Sequence, residues 1–329
     1  MKIISYLSIV LLFAASCASL PKNSANATRQ IKCGPGPEDI VLDSTNSSLR
    51  LLISCSARRE GEGDVANIME YRFDGQEAKA LQRIGEPAGF VFNPHGIDIT
   101  TYNGKTYLYV VNHRDDLKQH FIVVYTVEVD KLVFEKQMTS AFMVSPNDCA
   151  AGPNGSVYVT NDSGKRDALG EKLFKLKRAN VVMFDSLGNC SVVAEKLAYA
   201  NGVLVLDTNV YVSTVQQKVL NRYTKNTDGT LKNPVNIAPF YGYDNITQSG
   251  DELIIVAHPK PFKFLAHMKN AKKPSPGITY AVNYKTLATR VVFADDGKRI
   301  SCNSTGLIYK NKLYIAQVFE PFILEVDLK

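Results

Sequence analysis

The sequence contains no tryptophan in 329 residues and only six cysteines, and no block of lysine and arginine interleaved with aromatics interrupts it. The missing basic stripe excludes a nucleic-acid footprint, so no nucleic-acid partner is expected. The cysteines after position 17 stand at 33, 55, 149, 190 and 302. Their spacings fit no paired zinc signature, which removes a structural zinc cluster and leaves one or two disulfides of unreadable connectivity. Cys149 is the weakest of candidate nucleophiles, because only its neighbours speak for it. Long stretches with helical apolar spacing are also scarce, while Val, Ile, Tyr and Thr are abundant; this favours a β-rich chain. With 45% hydrophobic residues, a large core can form.

The one sustained apolar run lies at the start, Ile3 to Ala15, behind Met1-Lys2 and ahead of Ala14-Ala15-Ser16-Cys17. It is too short to span a bilayer and reads as an export signal. Small residues before Cys17 resemble a bacterial lipobox, in which that cysteine is lipidated; a cleaved secretory signal and a retained anchor are the alternatives. The expected organisation is a signal at 1–17, a linker at 18–30 and one domain over 31–329, placed in the periplasm or at the cell exterior.

A three-part phrase recurs six times in that domain. It opens on a polar pair before an apolar run: Glu38-Asp39, His95-Gly96, Asn147-Asp148, Asn201-Gly202, Asp244-Asn245 and Ser304-Thr305. The leading residues lie 57, 52, 54, 43 and 60 positions apart. A strand ending on a polar residue follows, such as 51–54, 157–161 or 210–213, then a third strand, such as 121–127 or 278–284. A fourth appears at 132–134 and 289–293. Short strands in six repeats without a long helix describe an all-β, six-bladed β-propeller around a central channel. Because the last repeat stops at the chain's end, its outermost strand is expected from the segment near Ile31 to Cys33.

First strands of propeller blades line the channel, so the six pairs should meet at one mouth. That mouth would offer carboxylates from Glu38, Asp39, Asp148 and Asp244 and amide oxygens from Asn147, Asn201 and Asn245. Hard oxygen donors without thiolates suit Ca²⁺ better than zinc or copper. Each asparagine alone would read as a turn residue; their repetition argues otherwise. Sequons at Asn161, Asn245 and Asn303 are discounted, and His120 and His267, outside the phrases, are read as surface residues. Two basic insertions, 163–178 and 259–276, follow second strands; Phe262 to Lys269 can form a short basic amphipathic helix serving as a lid or membrane-surface contact, with a solvated loop as the equal alternative.

Pro37-Glu38-Asp39, Pro94-His95-Gly96-Ile97, Val110-Val111-Asn112-His113, Pro146-Asn147-Asp148, Thr160-Asn161-Asp162, Ala200-Asn201-Gly202, Asp244-Asn245-Ile246 and His258-Pro259 together resemble the paraoxonase (arylesterase/lactonase) family. Sugar lactonases and strictosidine-synthase-like propellers are more distant likenesses. The resemblance implies two Ca²⁺ ions: a catalytic one on Glu38, Asn147, Asn201, Asp244 and Asn245, and a structural one on Asp39, Asp148 and the Ile97 carbonyl. It implies His95 as general base, His113 as its relay and His258 as a substrate contact. The activity implied is hydrolysis of a small lactone or ester, with membrane association through lipidated Cys17. A gluconolactonase-type enzyme and a non-catalytic calcium-binding propeller are the other readings. Unlike animal paraoxonases, the chain has no cysteine near its C-terminus to tie to Cys33.

Overall fold

Strands with apolar residues on both faces must be covered on both, and the second strands here are of that kind: Arg50–Ser56 and Val157–Asn161 are buried at every position. In the computed structural model, which describes residues 20, 28–45, 49–59, 61–62, 65–114, 117–166, 168–239 and 242–328, six antiparallel sheets stand side by side and cover one another. Each inner strand contacts the inner strand of its neighbour around a ring. Blade 1 runs Pro37–Asp43, Arg50–Ser56, Ala66–Arg72, Lys79–Ala80. Blades 2 to 5 have inner strands Pro94–Tyr102, Pro146–Ala151, Ala200–Leu206 and Gly242–Ser249. Blade 2 gains a fifth, parallel strand, Gln82–Ile84.

Blade 6 (Asn303–Tyr309, Lys312–Gln317, Phe322–Asp327) is completed from the other end of the chain. Thr28–Lys32 pairs antiparallel with its last strand, Thr28 opposite Val326 and Lys32 opposite Phe322. The closing strand therefore begins at Thr28, a little ahead of the segment expected, and it replaces a covalent clasp with five residues of ladder. Ile31 is fully buried beneath it.

The blades adhere through a repeated aromatic. Tyr109, Tyr158, Tyr211 and Tyr314 occupy the same place in their second strands, and each packs on the next blade: Tyr109 against Cys149 and Val157, Tyr158 against Val203 and Val210, Tyr211 against Ile246 and Ile255, Tyr314 against Ile40 and Leu51. All five described cysteines are free, so the expected disulfides are absent among the described residues. Asn161, Asn245 and Asn303 are buried, which rules out the sequons. Cys17 and the apolar run before it lie outside the described residues, and no described helix is long and apolar enough to cross a membrane.

One ion cluster holds blade 1 to blade 2. Arg50 is fully buried; its Nε donates to Asp43 (2.9 Å), Nη1 to Glu70 (2.8 Å) and to the Val129 carbonyl (2.6 Å), and Nη2 to the Glu128 carbonyl (2.7 Å). Truncating one member strands buried charge on the other. Arg50→Ala is predicted to lower the unfolding free energy by about 3–5 kcal/mol in denaturant titration, and Arg50→Met, which leaves Asp43 equally unpaired, should not restore it.

Candidate active site

Each of the six polar pairs sits at a break in strand register. Pairing jumps between Pro37 and Asp39, Pro94 and Ile97, Pro146 and Cys149, Ala200 and Val203, Tyr243 and Ile246, and Asn303 and Gly306. In every case one extra residue stands on the inner strand. A bulge rotates its residues out of the pleat and re-aims their side chains. Here it turns Glu38, His95, Asn147, Asn201 and Asp244 with Asn245 toward the axis, and all but His95 are nearly inaccessible. Gly96 and Gly202 allow the blades to close: a side chain at 96 would collide with Asp148, and one at 202 would meet the Asn245 backbone at 2.7 Å.

Hydroxyls at the ends of second strands stitch the bulges together. Ser213 Oγ accepts from the Gly202 amide (2.8 Å) and donates to the Asp244 carbonyl (2.6 Å). Thr160 Oγ1 accepts from the Asp148 amide (3.1 Å) and donates to the Asn201 carbonyl. Ser54 Oγ accepts from the Asp39 amide (3.2 Å). The recurrent polar ending of the second strands was the legible sign of these residues, though not of their role.

Two layers of acid follow. Deeper, Asp39 accepts from the Ile97 amide (2.8 Å), the Ile40 amide (2.9 Å) and Thr305 (2.8 Å), joining blades 1, 2 and 6. Asp148 accepts from the Cys149 and Val203 amides (2.7 and 2.8 Å), joining blades 3 and 4. Burial pushes the Asp39 carboxyl up to about 7, and burial together with the Asp39 charge pushes Asp148 well above the usual range. A pair of buried carboxylates raised by desolvation and mutual repulsion is a site that gains by a cation.

Nearer the mouth, Glu38 Oε1 lies 2.7 Å from His95 Nε2, and Asp244 Oδ2 lies 2.7 Å from His258 Nε2. Burial alone would raise Glu38, but the Arg58 guanidinium, in an ion pair with it, and His95 outweigh that and hold it at about 2. Desolvation raises Asp244. The amide oxygens of Asn201 and Asn245 are buried without a hydrogen-bond partner. Orphaned oxygens beside two carboxylates are the donor set of a hard cation, so the residues fit calcium. Among the described residues no three of His, Cys, Asp and Glu converge as a metal cluster, because this set relies on amides.

Beyond Glu38 runs a file of imidazoles: His95 Nδ1 to His113 Nε2 at 2.7 Å, then His113 Nδ1 to His120 Nδ1 at 3.0 Å. His120 is buried at the cross-strand position opposite His113, which corrects the surface reading. Desolvation, then the charges of its two imidazole neighbours, hold His113 well below the ordinary histidine value. Three more residues escaped the sequence. They are Arg58 and His120, which lie outside the phrases, and Tyr199, whose phenol is raised by burial and by the Asp162, Asp244 and Glu38 carboxylates. Cys149 is no nucleophile, since burial beside Asp148 pushes its thiol well up.

The insertions carry two helices, Leu169–Phe174 (α1) and Pro261–Lys269 (α2). Phe264 on α2 packs against His258 (centroids 4.8 Å) and Phe319 (6.0 Å). His267, also expected at the surface, is buried: Nδ1 meets the Lys273 carbonyl at 2.8 Å and Nε2 meets Glu320 at 3.0 Å, while Arg59 pairs with Glu320 at 2.7 Å. A cavity of about 430 Å³ beside α1, lined by Lys165, Glu171, Lys177 and Arg178 among others, lies apart from the mouth.

A six-bladed propeller whose axis gathers carboxylates, amides and a histidine file is the class that fold and site define. Residues 52–325 match the Arylesterase family, and the chain belongs to it. Mouse serum paraoxonase/arylesterase 1 is 32% identical over 69% of the chain and 66% of its own length. Human serum paraoxonase/lactonase 3 is 28% identical over 77% and 73%. The chain thus spans about two thirds of the length of these relatives. Among solved structures, the gluconolactonase XC5397 of Xanthomonas campestris superposes with TM-score 0.53 at 13% identity (91% and 87% covered), and a Streptomyces coelicolor aldose sugar dehydrogenase with 0.59 at 12% (94% and 99%). Those two likenesses establish the fold.

The His267–Glu320–Arg59 latch yields a pH prediction. Burial raises Glu320, but His267 and Arg59 outweigh it and leave the carboxyl below its ordinary 4.5. A depressed carboxyl stabilises above its unfolded value and loses that contribution as pH falls through the folded one. Proteolysis at Lys263 and Lys269 should therefore accelerate below about pH 4.5, and Glu320→Gln should remove the pH dependence by making cleavage equally fast above it.

Proposed function

We propose that the chain is an exported, calcium-dependent hydrolase of lactones and of aryl or alkyl esters. The observation that carries the reading is the convergence of Glu38, Asp244 and the orphaned Asn201 and Asn245 oxygens beside His95 and its imidazole file. The names of its relatives, paraoxonase, arylesterase and lactonase, support the same chemistry. Glu38, Asn147, Asn201, Asp244 and Asn245 would hold the catalytic ion, and Asp39, Asp148 and the Ile97 carbonyl a structural one. When bound, the catalytic ion supplies Lewis acidity toward the substrate carbonyl and the oxyanion that forms on it.

The protein's own groups supply the remainder. Glu38 would hold the ion, and His95 Nε2 takes a proton from the attacking water while His113 receives one from His95 Nδ1. His258, fixed on Asp244, and Phe264, set edge-on to His258, form an apolar rim. That rim favours a hydrophobic acyl chain over a sugar acid, the preference of the gluconolactonase reading. Export would follow from the apolar leader, with Cys17 as a lipid attachment.

The test is turnover of aliphatic lactones and phenyl acetate by residues 18–329 before chelation, after chelation and after Ca²⁺ is restored. Activity is predicted to vanish and return, with the fully stripped protein losing its cooperative melt as the deeper ion leaves. His95→Gln should lower kcat by about 10²–10⁴-fold, and Asn147→Ala should raise the Ca²⁺ needed for half activity. A folded, calcium-loaded protein that turns over none of these esters, but does hydrolyse a sugar lactone, would move the assignment to the gluconolactonase type; one that hydrolyses neither would leave a binding module.

A further inference from the structure

We propose that His120 is the third member of the proton relay, a positioning residue that faces His113 Nδ1 and receives the proton that His95 takes from water. The inference rests on the hydrolase reading above and extends it by one residue.

With one hydrogen on each ring, the contacts order the file. The Glu38 carboxylate, paired with the Arg58 guanidinium, can only accept, so His95 Nε2 carries the hydrogen between them. Neutral His95 then has a bare Nδ1, and the 2.7 Å contact requires His113 Nε2 to donate. His113 stays neutral: burial disfavours its charged form, as do His95, His120, Arg58 and Arg166 around it. Its Nδ1 is therefore bare, and the 3.0 Å contact requires a hydrogen on His120 Nδ1. His120 Nδ1 is thus the group that the bare His113 Nδ1 faces.

In the working tautomer the His95 hydrogen is on Nδ1 and every bond in the file runs outward; to reach it from the resting file, the His95 Nε2 hydrogen leaves to solvent, the His113 Nε2 and His120 Nδ1 hydrogens each cross to the facing nitrogen, and His120 Nε2 takes one from solvent. Water breaks an O–H bond and His95 Nε2–H forms. His95 Nδ1–H breaks and His113 Nε2–H forms; His113 Nδ1–H breaks and His120 Nδ1–H forms. The file ends with one added proton, held on His120 two imidazoles from the oxygen-lined mouth, and the reverse shift returns it to the leaving oxygen. No group outside the file is consumed. The placement is rigid, because His113 and His120 are cross-strand partners on Lys105–Arg114 and Gln119–Val127, with rings edge to face at 89°. The neighbour Gln119 is exposed, and Thr139 Oγ1 clamps the His120 carbonyl at 2.7 Å.

A residue that merely packed would be replaceable by an apolar one. His120→Phe and His120→Ala are predicted to lower kcat about tenfold or more while KM stays within about twofold; free imidazole should restore His120→Ala but not His95→Gln. Independently of turnover, ¹⁵N NMR of histidine-labelled wild-type protein should show coupling across the hydrogen bond between His113 Nδ1 and His120 Nδ1. Wild-type kcat in both folded variants, or no such coupling, would overturn the relay. A kcat loss that imidazole does not restore, accompanied by a lower melting temperature, would assign His120 a structural role and overturn it too. Should the wild type hydrolyse no ester or lactone, the functional reading fails by itself, and the NMR coupling still decides whether the file exists.

Discussion

Buried carboxylates around an axis are the constraint from which the rest of this structure follows. Glu38, Asp39, Asp148 and Asp244 come from blades 1, 3 and 5 yet lie close enough to perturb one another. Bringing such charges together in a low-dielectric centre is unfavourable unless amides, hydroxyls, basic side chains or a metal compensate. The ring provides the first three: backbone amides on Asp39 and Asp148, Thr305 on Asp39, Arg58 and His95 on Glu38, His258 on Asp244. It leaves the Asn201 and Asn245 oxygens unmatched. What remains uncompensated is a set of hard oxygen donors of the kind that suits a cation, and in the proposed chemistry Glu38 would help hold it while His95 acts as the base.

The six bulges are how strands, normally two-faced, deliver a third direction. One face of each inner strand is committed to one neighbouring blade and the other face to the next, so a regular strand would have nothing left for the axis. An inserted residue breaks the pleat and points a side chain inward. Because the break falls at the same place in every blade, the ends of six short strands become one site, and the Ser54, Thr160 and Ser213 hydroxyls tie each break to the strands around it.

The periodic part of this was legible beforehand. The polar pairs and the second and third strands fell where the repeat placed them, because a blade must alternate buried strand and turn at near-constant spacing. Closure through the N-terminal segment was legible for a topological reason, since an unpaired outer strand would leave an edge exposed. What the repeat could not show were residues with no counterpart in other blades. His120 and His267 break the phrase, and each is buried through a partner specific to it, His113 in one case and Glu320 in the other. Nothing in the repeat distinguishes Arg50 from any strand-end charge; its burial depends on the Glu128 and Val129 carbonyls of the neighbouring blade. Free cysteines were equally invisible, as connectivity depends on distances that spacing does not encode.

Bulge-borne oxygens at the axis are proposed to form calcium sites, and calorimetric titration of chelator-stripped protein with Ca²⁺ tests them without reference to any substrate. Two ions per chain are predicted, with Asn201→Ala weakening one site while Asp148→Asn weakens the other. Absence of binding by protein that retains its strand content, or binding unchanged by both substitutions, would contradict the account.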